Sequence, residues 1–413
     1  MKELFVHSKL KQLPVAGEAD RVLDIPLINR SMPVRLSNPD ITEREIQAVL
    51  DVMHSPNLSC GPKIVEFEEK ISNYVGRRFA IAVNSGTSGL HLVVRALKLC
   101  QGDEVITTPF SFIASSNCLL YENAKPVFVD VDRDTYNIDP RRIVAAITPR
   151  TKAILAVDVF GQPAQYDFID TIARSYGLNV ISDCCESIGA KYKGCPAGSF
   201  GVAGVFGFYP NKQITTGEGG VIVTDDSEIA RLCRSMRNQG RGEDDSSPVH
   251  ERLGYNYRLP EISCALGIVQ LERIEDLLKR RQRVADAYNR LLSGVEELHL
   301  PYIDPNVTQM SWFVYVVRLA DRYTKDDRNQ IVQHLLENQV GTNIYFLPIH
   351  LQPFYREMFD FRAGDFPITE AMAERTIALP LHSLIEEDEV AKVVARLKEA
   401  LALRRPRSFS VPR

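Results

Sequence analysis

The 413-residue sequence lacks the features that would place it among membrane, nucleic-acid-binding or secreted proteins. No apolar run reaches the ~18–20 residues that a membrane-spanning helix needs. Lys and Arg number 49 against 53 Asp and Glu, so the basic excess typical of nucleic-acid-binding proteins is missing. The N-terminal segment has no apolar core of the kind found in signal peptides. We therefore expect a cytoplasmic protein with neither a membrane nor a nucleic-acid partner.

The eight cysteines show neither a metal-binding nor a redox pattern. They include no C-x-x-C pair, and no histidine stands at zinc-ligand spacing from them. Most stand beside apolar residues, where a free cysteine behaves as a small buried hydrophobic residue. We therefore expect structural cysteines and no metal site.

The central part of the chain alternates short β-branched runs with helical stretches. The runs are FAIAV (79–83), DEVITT (103–108), PVFVDV (126–131), KAILAVDVF (152–160), NVISD (179–183), GVFGFY (204–209) and GVIVTD (220–225). This alternation predicts an α/β fold with a seven-stranded, mostly parallel sheet covered on both faces. No helix separates the last two runs, so these should pair antiparallel. Ligands bind outside the carboxyl ends of strands in such sheets, and we expect the chemistry there.

The C-terminal part of the chain has a different pattern. Residues 260–293 have long helical periodicity, and strands at 312–319 and 342–346 and helices at 324–339 and 386–403 follow. This order predicts a smaller α+β domain joined through a long helix. The predicted units are a weakly ordered extension (1–25), a large cofactor-binding domain (26–259), the linking helix with the small C-terminal domain (260–403), and a tail (404–413).

Residues 84–89, NSGTSG, connect the first strand to a predicted helix. Small residues let the backbone approach a ligand, and a helix N-terminus offers free N–H groups to an anion. No lysine follows the glycines, so this is not a Walker loop. A tight turn whose Ser or Thr caps the helix would explain the same residues.

Two carboxylates lie at the end of the fifth predicted strand and just after it. Asp183 ends the strand, where it could face a cationic ring nitrogen or cap a helix. Glu186 lies three residues later, either near the same rim or as the capping-box partner of Asp183. Spacing alone leaves both alternatives open.

Lys212 stands between a strand that ends at Tyr209-Pro210 and the glycine-rich segment 215–220. It is the only lysine between Lys193 and Lys279, so it does not belong to a solvated charge run. A lysine in this setting can act as a nucleophile toward an aldehyde, although an exposed loop lysine is the commoner case.

These three motifs together match the requirements of pyridoxal 5′-phosphate. The phosphate needs backbone donors, the pyridinium nitrogen needs a carboxylate, and the aldehyde needs an amine. A flat ring also stacks on an aromatic side chain. Phe110 and Phe112, which follow another predicted strand, are candidates for this contact.

With these motifs in place, the sequence resembles the DegT/StrS-type sugar aminotransferases, pyridoxal-phosphate enzymes of fold type I, from about residue 33 to 402. The motifs that carry the resemblance are NSGTSGLHL, TPFSFIASSN, SDCCESIGA, YPNKQITTGEGG, GYNYRL (254–259), LPIHLQPFYRE (347–357) and IALPLHSL (377–384). The resemblance implies a large cofactor domain, a smaller C-terminal domain and a homodimer with shared active sites.

The resemblance also implies roles for single residues. Lys212 would bond to the cofactor and later shuttle the substrate proton, and Asp183 would pair with the ring nitrogen. His350 looks like a substrate-side residue. The other implied cofactor contacts are Gly86 and Thr87 at the phosphate, Phe112 stacked on the ring, Glu186 beside it, and Asn256 reaching the phosphate from the neighbouring subunit.

Two positions depart from the family pattern. Gly207 stands where a serine usually gives its hydroxyl to the phosphate, so one hydrogen bond worth ~1–3 kcal/mol is missing. Glu186 stands where Gln or His is common, which is similar to perosamine-synthase-like members that aminate a 4-keto-6-deoxy nucleotide sugar.

The resemblance thus implies transfer of an amino group from an amino acid, glutamate first, to a nucleotide-linked keto-sugar. A cyclitol ketone is an alternative acceptor. A sugar dehydratase is a second alternative, although the dehydratases of this group replace the lysine with His, whereas Lys212 is present. A non-catalytic cofactor-binding regulatory protein is a third, to which only Gly207 points.

Overall fold

The computed structural model describes residues 34–242 and 248–404 of the chain. The predictions for residues 1–25 and for the tail after Arg404 lie outside this part. Its helices are α1 (Glu43–Met53), α2 (Pro62–Val75), α3 (Gly86–Ala96), α4 (Ala114–Leu120), α5 (Pro140–Ala146), α6 (Tyr166–Tyr176), α7 (Ser227–Arg237), α8 (Glu261–Glu272), α9 (Ile274–Leu292), α10 (Lys325–Glu337), α11 (Pro353–Phe359), α12 (Pro367–Ala373) and α13 (Glu387–Ala402). Its strands are β1 (Phe79–Val83), β2 (Glu104–Thr107), β3 (Lys125–Phe128), β4 (Thr151–Val157), β5 (Asn179–Asp183), β6 (Lys191–Tyr192), β7 (Cys195–Pro196), β8 (Ala203–Gly207), β9 (Gly220–Thr224), β10 (Leu298–His299), β11 (Val307–Gln309), β12 (Tyr315–Leu319) and β13 (Thr376–Leu379).

A seven-stranded sheet forms the centre of the fold, with the strand order β1-β9-β8-β5-β4-β2-β3. The neighbours from β8 to β3 are parallel. In contrast, β9 runs antiparallel to both β1 and β8. The predicted α/β class, the seven mostly parallel strands and the antiparallel pairing of the last two runs are confirmed.

Helices cover both faces of this sheet. On β1, Ile81 lies in an apolar cluster with Leu90 of α3, on one face. Its neighbour Ala80 lies in a second cluster with Phe67 of α2, on the other face. Successive side chains of a strand point to opposite faces, so a strand buried on both sides reads as a continuous apolar run. Each large apolar side chain buried in this way contributes about 1.5–3 kcal/mol to folding.

The strands that carry the three motifs end at one edge of the sheet. Because β9 is antiparallel to both β1 and β8, these two strands run in the same direction, and β5 is parallel to β8. They end at Val83, Asp183 and Gly207. The segments that follow these ends therefore start from the same edge of the sheet.

The C-terminal part contains a small antiparallel sheet of order β10-β12-β13. Side chains of α9, α10 and α13 share one apolar cluster with this sheet. The predicted long helix is two helices, α8 and α9, which meet at Arg273. The predicted strand at 342–346 is wrong, because only Asn343 forms a single bridge, to Ala378. The domain boundary at residue 259 stays a prediction.

None of the helices within residues 34–242 and 248–404 combines the length and the apolar character needed to cross a membrane.

Candidate active site

The turn after β1 leads directly into α3. Ser85 is the N-cap, and its hydroxyl accepts a hydrogen bond from the Ser88 N–H at 3.1 Å. The first N–H groups of a helix, here those of Gly86 and Thr87, have no carbonyl partner within the helix. They form the positive end of the helix dipole, which favours an anion. The residues of this turn therefore both cap the helix and offer an anion site.

Asp183 is the last residue of β5 and is buried. Its Oδ2 accepts a hydrogen bond from the Ser115 hydroxyl at 2.6 Å, and its Oδ1 accepts one from the Cys185 N–H at 3.2 Å. Both donors are neutral, so neither cancels the charge of the carboxylate. No helix begins in residues 184–190, so the helix-cap interpretation of Asp183 and Glu186 is wrong.

Lys212 and Glu186 face each other in the loops beyond this edge. Lys212 Nζ lies 3.5 Å from Glu186 Oε1, and the lysine side chain is only 13% exposed. Glu186 Oε2 accepts a hydrogen bond from the Phe160 N–H at 2.8 Å. Burial raises the pKa of Glu186, and the amine of Lys212 opposes this rise. Lys212 is therefore a partly enclosed amine beside a carboxylate, not an exposed loop lysine.

An aromatic ring and a glutamine complete the surroundings of this lysine. The ring centroid of Phe313 lies 3.8 Å from Lys212 Nζ, within the range of a cation–π interaction. The Gln213 amide donates hydrogen bonds to the Glu186 carbonyl at 2.6 Å and to the Ser311 hydroxyl at 2.7 Å. These bonds hold the loop that carries the lysine against the turn that carries Glu186.

Cys185 links the carboxylate turn to the anion site. A Cβ placed on Gly86 would come within 2.7 Å of the Cys185 sulphur, so only glycine fits there beside this side chain. A Cβ placed on Gly207 would lie 3.3 Å from both Cβ and Sγ of Cys185. The anion site, the carboxylates and the lysine thus belong to one continuous set of contacts.

The other predicted residues differ in burial and in their partners. The Phe112 side chain follows β2 and is 62% exposed. Asn256 is exposed and accepts a hydrogen bond from Asn84 through its carbonyl at 3.4 Å. His350 is fully buried, its Nε2 lies 3.0 Å from Glu370 Oε1, and burial lowers the pKa of its imidazole. The roles predicted for these three residues stay predictions.

Three residues near the site were missed by sequence reasoning, namely Ser115, Gln213 and Phe313. Gln213 is adjacent to Lys212, and Ser115 lies in the segment TPFSFIASSN, but neither residue type by itself indicates a site. Phe313 lies in a predicted strand that carried no chemical pattern. Only the fold places its ring beside the lysine.

Known proteins match most of the chain. The model of the DegT/DnrJ/EryC1/StrS aminotransferase family matches residues 39–398. The uncharacterized protein MJ1066 of Methanocaldococcus jannaschii is 41% identical over 373 residues, which cover 88% of this chain and 96% of that protein. The spore coat polysaccharide biosynthesis protein SpsC of Bacillus subtilis is 35% identical over 381 residues, 90% of this chain and 97% of that protein. The structure of Helicobacter pylori PseC, an aminotransferase involved in the biosynthesis of pseudoaminic acid, has a TM-score of 0.85 at 28% identity and covers 90% of this chain and 100% of PseC.

The family match extends over the large sheet, the lysine loop and the small C-terminal sheet, so it is not confined to one motif. The predicted family and the predicted cofactor are both confirmed. The chain belongs to the DegT/DnrJ/EryC1/StrS aminotransferase family and is a pyridoxal-phosphate-dependent aminotransferase of fold type I.

Proposed function

We propose that this aminotransferase moves the amino group of an amino acid, L-glutamate, to the keto group of a nucleotide-linked sugar. By their names, SpsC serves polysaccharide biosynthesis and PseC the biosynthesis of pseudoaminic acid, which supports a sugar acceptor. One observation carries the catalytic part of the proposal. Lys212 Nζ lies 3.5 Å from Glu186 Oε1 beyond the sheet edge where Asp183 and the start of α3 also lie.

The residues present fit pyridoxal phosphate. In this proposal the α3 N-terminus at Gly86 and Thr87 binds the phosphate, and the close approach of Gly86 to the Cys185 sulphur, 2.7 Å from an added Cβ, supports a tight cradle there. Asp183 supplies a negative charge for the ring nitrogen, and Lys212 supplies the amine for the aldehyde. Phe112, at the exposed rim, offers a face for ring stacking. Asn256 would reach the phosphate of the other subunit in a homodimer.

The chemistry that pyridoxal phosphate supplies when bound is electron withdrawal from the substrate carbon and temporary storage of the amino group. Lys212 would hold the cofactor through Nζ. With the donor bound, the same Nζ would act as the base that takes the proton from the α-carbon of the donor. Asp183 would pair with the ring nitrogen, and Glu186, whose Oε1 lies 3.5 Å from Nζ, would orient the amine. The second half-reaction repeats these steps in reverse on the sugar ketone, so no external oxidant or reductant is needed.

The test supplies the purified protein with pyridoxal phosphate, L-glutamate and a panel of nucleotide-linked 4-keto and 3-keto sugars, with a cyclitol ketone as a separate acceptor. Mass spectrometry follows 2-oxoglutarate and the aminated acceptor. We expect both products with at least one nucleotide sugar. Lys212→Ala should form neither, and Lys279→Ala, which changes an exposed lysine of α9, should behave like the parent.

Each of the other outcomes contradicts a defined part of the proposal. Amination of the cyclitol alone overturns the nucleotide-sugar acceptor. Transfer from another amino acid but not from glutamate overturns the donor. Normal turnover by Lys212→Ala overturns the role of the lysine.

A further inference from the structure

Arg281 of α9 is a buried guanidinium whose hydrogen bonds go to backbone carbonyls. The residue is 3% exposed. Its Nη2 donates to the Lys212 carbonyl at 2.9 Å. Its Nη1 lies within hydrogen-bond distance of three more carbonyls, those of Trp312 at 3.1 Å, Phe313 at 3.3 Å and Leu381 at 3.5 Å. One side chain thus joins α9 to three other segments of the chain, namely the lysine loop, the start of the 312–319 segment and the loop at Leu381.

This cation is not held by an ion pair. Within residues 34–242 and 248–404, no carboxylate lies within 4.0 Å of its guanidinium nitrogens, and Asp40 pairs instead with Arg273 and Arg280. Burial lowers the pKa of Arg281 to about 10, which still leaves the group charged at neutral pH. Burying an unpaired charge is costly unless hydrogen bonds compensate it. The carbonyl oxygens give this compensation at Nη1 and Nη2, whereas Nε has no hydrogen-bond partner in the described part of the chain, and the guanidinium thereby bridges the segments that carry these carbonyls.

Two of these carbonyls belong to residues whose side chains meet in the active site. Arg281 binds the main chain of both Lys212 and Phe313, and the Phe313 ring centroid lies 3.8 Å from Lys212 Nζ. Lys212 lies outside the helices and strands, and its long side chain has four rotatable bonds. The reach and direction of the amine therefore depend on how its main chain is anchored. Misplacement of a reacting group by about 1 Å is enough to cost about 100-fold in rate.

We propose that Arg281 is a positioning residue, which fixes the main chains of Lys212 and Phe313 so that the amine points into the cofactor site. The proposal rests on the function proposed above, in which Lys212 bonds to the cofactor. Arg281 touches neither the cofactor nor the substrate in this account. Its effect on the reaction passes through Lys212.

The test compares Arg281→Lys and Arg281→Met with the parent enzyme and with Arg283→Met. Lysine keeps the charge but lacks the planar fork that reaches several carbonyls at once. Arg283 lies two residues further along α9 and pairs with Glu386 at 3.7 Å, and both side chains are mostly exposed, so it is a matched control. The parent is first reduced with borohydride in the presence of pyridoxal phosphate. Absence of a bond at Lys212 in the parent would refute the proposed function, whatever Arg281 does.

Three measurements follow on each protein: the Kd for pyridoxal phosphate, the pH midpoint of the absorbance of the bound cofactor, and kcat and KM for the donor. For both Arg281 variants we expect a Kd at least about tenfold weaker, a shifted pH midpoint, and kcat at least about tenfold lower at similar KM. A purely structural role would lower thermal stability without moving the absorbance midpoint. Arg283→Met should match the parent in all three.

Folded Arg281→Lys and Arg281→Met proteins with the parent's midpoint and kcat would overturn the proposal. Phe313→Leu gives a second test that does not depend on the folding of the Arg281 variants. It removes the ring and leaves the carbonyl of residue 313 for the guanidinium. If the pH midpoint of Phe313→Leu shifts in the same direction as that of the Arg281 variants, the proposal is supported. A midpoint equal to that of the parent contradicts it.

Discussion

The substitution Gly207→Ser is expected to restore the hydroxyl group that binds the cofactor phosphate in the family pattern, and the neighbouring Cys185 limits the gain. Serine at position 207 would provide the hydroxyl that the family pattern places at the phosphate. The added Cβ would lie 3.3 Å from Cβ and Sγ of Cys185. This is shorter than the ~3.5–4.0 Å of a relaxed contact, so Gly207→Ser gains a hydrogen bond and incurs crowding at the same time.

The two effects differ in size. A hydroxyl bonded to a charged phosphate contributes about 1.5–3 kcal/mol, and crowding of one side chain costs about 1 kcal/mol. In the parent background, Gly207→Ser should therefore tighten the Kd for pyridoxal phosphate by about twofold to 30-fold. In a Cys185→Ala background the sulphur is gone but the alanine Cβ remains 3.3 Å away, so the same change should tighten the Kd more than in the parent and by less than the ~150-fold of an uncrowded site. The expected coupling between the two sites is therefore below about 1 kcal/mol and favours serine in the alanine background.

The assay is an equilibrium titration with pyridoxal phosphate of four apo-proteins: the parent, Gly207→Ser, Cys185→Ala and the double variant. Pyridoxal, which lacks the phosphate, is the control ligand, and its Kd should not improve with Gly207→Ser. Equal improvement for both ligands would refute a phosphate contact. If the serine variant binds pyridoxal phosphate more weakly in both backgrounds, the new hydrogen bond does not outweigh the cost of crowding, and the reasoning is refuted.

A buried acid, a hydrogen-bond donor and the subunit interface each allow a further test. Burial raises the pKa of Asp158 to about 6. The native state therefore holds this proton more tightly than the unfolded chain, and stability should fall by ~3 kcal/mol between about pH 4 and pH 6.5. The free energy of unfolding of Asp158→Asn, measured with urea, should not show this loss. Parallel pH profiles of the free energy of unfolding for the variant and the parent would contradict the prediction. Ser115→Ala removes the 2.6 Å hydrogen bond to Asp183 and should weaken the Kd for pyridoxal phosphate about tenfold, whereas an unchanged titration would count against the bond. Equimolar mixing of inactive Lys212→Ala and Asn256→Ala subunits should restore about a quarter of the parent activity if the sites are shared, and no activity if each site is built from one subunit.

The central sheet was predictable because a strand that is buried on both faces consists of a continuous run of apolar residues. β1 and β5 coincide with the predicted runs 79–83 and 179–183, since every second residue contacts a different layer of helices. The same logic fails for 342–346. Its residues favour strands, but only Asn343 finds a partner, and strand formation depends on pairing more than on composition.

The site was predictable where its residues follow strand ends and unpredictable where they come from distant helices. Asp183 ends β5 and Lys212 follows β8 within a few residues, so the sheet topology indicates that both lie at the same edge of the sheet. Arg281 is 69 residues from Lys212 and binds a backbone carbonyl, which leaves no pattern in the sequence. His350 shows the opposite case. Its motif is recognisable, but only the fold shows that its imidazole is fully buried against Glu370.

Covalent attachment of the cofactor at Lys212 can be detected directly by peptide mapping. The protein is incubated with pyridoxal phosphate, reduced with borohydride, digested with trypsin and mapped by mass spectrometry. Because a modified Lys212 resists trypsin, we expect one peptide spanning residues 194–231 that carries the mass of the reduced cofactor. Separate unmodified peptides 194–212 and 213–231, with the label on another lysine or absent, would show that Lys212 does not bond to the cofactor.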